Sequence, residues 1–184
     1  MSGPAPGAQP QPGPGFAAWE RANFFRIVWL APAVFVLHLL EERPRFPQWV
    51  TGVLGGQMDV DTFDLSHVVY LALLSGLCAL ATRTRSTWSL WLLFLWLSGQ
   101  QFFDAVLHVY TQVVFGANSP GLFTAVFGYV PTFCYLTYLA LRERLLPGFS
   151  LPITLGAGAL GILFMVKAML YRFGEVPWNR WAPF

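Results

Sequence analysis

The sequence predicts an all-α fold, a polytopic membrane helix bundle of about five transmembrane helices. Three observations lead there. Only 11% of the 184 residues are charged while 55% are hydrophobic, and a soluble domain carries about 25% charge to cover its surface. Seventeen Phe and eight Trp enlarge the apolar excess. Finally, the apolar residues fall into runs of about 20, the length an α-helix needs to cross a bilayer. The net charge of +2 is small and scattered, which excludes a nucleic-acid partner and leaves membrane lipid as the surrounding partner.

Residues 1–20 read as a disordered Pro/Gly-rich tail, without the basic start and apolar centre of a signal peptide. The transmembrane domain is expected over 21–172, and 173–184 form a short Trp-bearing tail. The first span is expected from Phe24 to Glu42. Pro32 lies inside it and removes the amide that would bond the Val28 carbonyl, so the helix should kink. Pro44 to Asp61 reads as a loop, broken by Pro44, Pro47, Gly52, Gly55 and Gly56, with Trp49 and Val50 dipping into the interface. Asp64 is expected to cap the second span, Phe63 to Ala81. The third span, Trp88 to Tyr110, turns polar in its second half, where Gln100 and Gln101 should bond a neighbouring helix. The fourth runs from Leu122 to Leu141 and the fifth from Leu151 to Tyr171. Gly156, Gly158 and Gly161 in the fifth would allow close packing. Cys78 and Cys134 each lie in an apolar run with no CxxC spacing, and both are expected in the core.

Five spans would put the two termini on opposite sides. The turns carrying Arg83, Arg85, Arg142 and Arg144 share the side of the N-terminus, which makes that side cytoplasmic by the positive-inside tendency. The protein should then be a multi-pass protein of the cell membrane.

The opposite ends of the first three spans hold the chemistry. His38, Glu41 and Glu42 close the first run, with Glu41 and Glu42 about 60° and 40° either side of His38 on a helix. Asp64 and His67 begin the second span. Asp104 and His108, four residues apart, share a face near the end of the third. All three histidines of the protein therefore meet in one leaflet. Imidazole and carboxylate are ligands of zinc, iron and manganese, so a divalent metal held by His38, Glu41, Glu42, Asp104 and His108 is expected, with His67 completing a second position. Glu42 is the expected general base. The bland alternatives are acids reaching headgroup water at a helix end, Arg43 or Arg45 pairing with them, and a His67 that bonds only a backbone carbonyl.

These residues carry a resemblance to a family. His38-Leu39-Leu40-Glu41-Glu42, the later His108, and Asn118-Ser119-Pro120-Gly121 in place of a Y-x-P-G pattern resemble the HXXEE family of bacterial membrane proteins over about residues 24–141. Asn118 stands where that pattern has Tyr, with Tyr110 the nearest substitute. The resemblance implies a membrane location and a site around the motif, and it implies no particular reaction. The expected function is a metal-dependent hydrolase or oxidase acting on a lipid-like or apolar small-molecule substrate. The rivals are a small proton-coupled transporter, which would use the same intramembrane acids and histidines, and a non-catalytic assembly subunit.

Overall fold

The computed structural model describes residues 23–171, with side chains through Phe164. The two expected tails, and with them Arg21, Arg172, Arg180 and the Lys167 side chain, lie outside the described residues. Among those described there is helix and no strand. In chain order the helices are α1 (Asn23–Glu42), a short α2 (Phe46–Trp49), α3 (Val60–Thr84), α4 (Thr87–Phe115), α5 (Leu122–Arg142) and α6 (Ser150–Tyr171). Helices α1, α3, α4 and α5 are long and apolar enough to cross a membrane. Helix α6 matches the expected fifth, and its apolar stretch covers Ser150–Phe164.

Pro32 shapes α1 as its chemistry demands. The helix passes through a turn at Val28 and Trp29 and is regular from Leu30. The Val28 carbonyl accepts instead from the Ala31 amide at 3.1 Å and the Cys78 thiol at 3.8 Å. One turn on, Gln101 of α4 donates to the Ala31 carbonyl at 3.0 Å, and Gln100 donates to the Tyr129 hydroxyl at 3.3 Å. The two glutamines therefore tie α4 to α1 and α5.

Both α4 and α5 contain a π-helical stretch, Ser98–Phe103 and Ala125–Tyr129. Each holds one more residue per turn than regular helix, a deviation frequent at functional sites. The α4 stretch leads directly into Asp104, and the α5 stretch follows Thr124 at the helix start.

The core runs along the half of the bundle away from the site. Phe24 stacks on Phe94 at 6.2 Å between ring centroids, and Phe94 meets Phe133 edge-on at 6.5 Å. Leu74, Leu90, Leu93, Leu97 and Leu136 complete it, all at most 1% exposed. Helix α6 closes against α4 at one glycine, where a Cβ on Gly158 would lie 2.7 Å from the Gly99 nitrogen. Ser98 donates to the Thr154 carbonyl across the same contact at 2.7 Å.

Several expectations are corrected. Gly156 and Gly161 face open space, so of the three glycines only Gly158 provides the close approach. Cys134 is exposed while Cys78 is buried; in a bundle apolar on both its inward and outward faces, hydropathy does not tell the two apart. Asp59, not Asp64, caps α3, accepting from the Thr62 amide at 2.6 Å. Asp64 instead takes a two-pronged bond from Arg43, at 2.8 and 2.7 Å. The expected loop 44–61 contains α2 and a π-helical turn, Val50–Leu54, ended by Gly55 at φ 70°. Pro47 does not prevent this because it sits in the first turn of α2, where no amide partner is required.

Candidate metal centre

The turn Val50–Leu54 and its neighbours cover the end of the bundle where the ionisable groups gather. Trp49, Val50, Leu54, Met58 and Phe63 form a second buried cluster, against which Phe46 and Phe115 pack. As a result Glu42 is not at the aqueous end of α1 but 3% exposed beneath this cover.

Glu42 is the centre of the arrangement. One of its oxygens, Oε1, lies 3.1 Å from His108 Nε2 and 3.5 Å from His38 Nε2. The other, Oε2, lies 3.5 Å from His67 Nε2. Asp104 Oδ2 approaches the same atoms of His38 and His108, at 3.4 and 3.5 Å. Thus three imidazoles from α1, α3 and α4 all present Nε2 to two carboxylates. His38, Asp104 and His108 each offer a ligand atom, and these atoms lie within 4.8 Å of one another.

The opposite nitrogen of each ring is tied back. His67 donates through Nδ1 to the Phe63 carbonyl at 2.7 Å, so in the neutral ring its Nε2 carries the lone pair. The Thr124 hydroxyl gives its single proton to Glu41 Oε2 at 2.6 Å and therefore accepts from His38 Nδ1 at 2.9 Å. His108 Nδ1 bonds the Ser119 hydroxyl at 2.8 Å. Outer partners of this kind fix the tautomer and direction of a metal-binding histidine. His67 thus bonds a backbone carbonyl, as its bland reading held, and also points its free nitrogen at Glu42.

Glu41 has a different position from its neighbour. Its oxygens accept from the Phe123 and Thr124 amides at 3.2 and 2.8 Å, besides the Thr124 hydroxyl. It therefore stands at the N-terminus of α5, where the helix dipole favours a negative charge, and reaches His38 through Thr124. Arg43, engaged with Asp64, is not the partner of either glutamate.

The turn before α5 also builds the site. Ser119 is 5% exposed and Gly121 adopts φ 86°. A Cβ on Gly121 would lie 2.6 Å from Glu42 Cγ and 2.6 Å from His38 Cε1. Only glycine permits both that backbone angle and that contact. Aromatic rings wall the remaining sides, with Tyr129 4.4 Å from His38, Phe63 3.9 Å from His67 and Phe46 6.2 Å from His108 between ring centroids. Thr124 and Tyr129 were not signalled by the sequence, since single hydroxyls within apolar helices are ordinary, whereas Ser119 lies in the Asn118–Gly121 turn that carries the family pattern. Tyr110, the proposed substitute for the tyrosine absent at Asn118, is 38% exposed.

Two oxygen and three nitrogen donors, directed inward and fixed from behind, can share a divalent cation, and they can also pass a proton. No match was found among curated proteins or among solved structures. A family of proteins of unknown function with an HXXEE motif matches residues 29–136, more than half of the chain and including His38, Glu41, Glu42, Asp104 and His108. The chain belongs to the HXXEE family.

Proposed function

We propose that this is an integral membrane enzyme that uses a divalent metal, zinc, iron or manganese, to hydrolyse or oxidise a lipid-like or apolar substrate. The observation that carries the reading is the direction of the three histidines. His38 and His67 each have Nδ1–H committed to a fixed acceptor, which leaves Nε2 as a ligand atom turned on the Glu42 and Asp104 oxygens. Acceptors brought this close in a buried site repel one another unless a metal cation or a shared proton lies between them. His38, Asp104 and His108 would hold the ion, and His67 would orient Glu42. A bound ion of this class polarises an oxygen of the substrate or activates water.

Glu42 lies against all three rings and is the proposed base, taking a proton on the oxygen that His67 does not engage. Asp104 is the most open of the five side chains at 17%, against 2–9% for the others. The arginine-bearing turns at Arg83, Arg85, Arg142 and Arg144 support a cytoplasmic N-terminus, and therefore a site on the far face of the cell membrane.

Metal analysis of protein purified without chelators tests the proposal. Wild type should carry stoichiometric zinc, iron or manganese, and His38→Ala and His108→Ala should each lose it. A metal-free wild type removes the main support. If wild type is metal-free and carries a proton flux in liposomes that those substitutions abolish, the transporter replaces the enzyme.

A further inference from the structure

A cavity of about 750 Å³ opens beside the histidine cluster, between the end of α1, the end of α4 and the start of α5. That volume is within the roughly 300–1,000 Å³ common for small-molecule sites. Its walls divide by chemistry. Along α4 and α5 they are apolar, with Val109, Val113, Phe123 and Phe127 all strongly exposed to it or to its surroundings. At its rim stand Arg45, Gln112 and Asn118.

These three are hydrogen-bond donors with capacity to spare. No carboxylate lies within ion-pair distance of the Arg45 guanidinium among the described residues. Gln112 accepts the Ser119 amide through Oε1 at 3.0 Å, and its NH₂ group has no partner among the described residues. Asn118 is exposed in the turn that precedes α5. Glu41 also faces the cavity, but its charge is met by two amides and a hydroxyl at the start of α5. The polar rim therefore offers a guanidinium and two amides above an apolar groove.

We infer that this cavity binds the substrate class of the enzyme, a single-chain amphiphile with an anionic phosphate head. The head takes Arg45, Gln112 and Asn118, and the chain lies along Val109, Val113, Phe123 and Phe127. A guanidinium supplies paired donors suited to phosphate oxygens, and the exposed valines and phenylalanines offer the purely apolar contact that suits a hydrocarbon chain. The cavity also touches the metal cluster at two points. Glu41 holds Thr124 and through it His38, and Ser119 holds His108 directly. An occupant therefore rests on the groups that aim two of the three histidines.

As a statement about substrate this rests on the proposed enzyme, but binding can be read without metal. Full-length protein in detergent, stripped with chelator, would be titrated with hexadecyl phosphate, hexadecanol and inorganic phosphate and followed by native mass spectrometry. One hexadecyl phosphate should bind per chain, with hexadecanol and inorganic phosphate each weaker by about tenfold or more. Arg45→Gln should weaken hexadecyl phosphate by about tenfold and leave hexadecanol unchanged. Val113→Trp, at a position 77% exposed and so safe for folding, should block both chain-bearing probes by filling the groove. Equal binding of hexadecanol and hexadecyl phosphate, inorganic phosphate binding as tightly as the amphiphile, or full binding in both variants would overturn the inference. A protein that binds the amphiphile as described but never retains metal keeps this site and loses the metal reading alone.

Discussion

The two ends of the bundle are built to opposite rules. At one end Phe24, Phe94 and Phe133 interlock with leucines of α3, α4 and α5, and the hydroxyls of Thr84, Ser86 and Ser89 bond one another. At the other, three imidazoles and two carboxylates are enclosed by aromatic rings, with ring nitrogens facing carboxylate oxygens. The first end contributes stability through packing. The second costs stability, since buried charge is expensive unless matched. The cluster sits under its own cover, beside a glycine held in left-handed geometry, and the packing of the first end offsets its cost.

Substitutions at each end should separate these roles. Phe94→Ala should have the largest effect on folding, about 3–5 kcal/mol from the lost contacts and the cavity left behind. Denaturation in detergent would measure it, and the folded fraction should keep its full metal content. Loss of metal from that folded fraction would show that the ends are not separable. Gly121→Ala should cost about 1–3 kcal/mol through its backbone angle. It should also reduce bound metal, because the new methyl group displaces both Glu42 and His38; unchanged metal content would mean that the contact is not structural. The mildest change, Glu41→Gln, should lower metal affinity by about tenfold with little change in folding, as expected for an outer partner that keeps one acceptor oxygen. A competition titration would read it. A complete loss of metal would instead return Glu41 to the ligand set.

The cluster itself was legible because ionisable groups are conspicuous in apolar runs. His38 to Glu42 and the Asp104–His108 pair are regular helix in the structure, so their spacing already placed each set on one face. The division of labour between Glu41 and Glu42 was not legible. They are adjacent residues about 100° apart, and only the arrival of α5 decides that one meets two amides and the other three imidazoles. Asp64 illustrates the same point from outside the site. As a cap it was a sound reading of a helix start, but Asp59 reaches the free amide first, and Arg43 is brought within reach by the fold. The cover over Glu42 was missed for a different reason, because prolines and glycines between 44 and 56 disguised a short helix that needs only five good positions.

The π-helical stretch in α4 has one more consequence. Regular helix advances about 100° with each residue, so a turn that holds one residue more resets the bearing of everything after it. Wind Ser98–Phe103 as regular helix instead, and the packed face of Leu90, Leu93 and Leu97 keeps its direction. Asp104 and His108 would swing by about a quarter of a revolution away from Glu42. The irregular turn works as a gear between the two halves of one helix, letting a single rod serve both ends of the bundle.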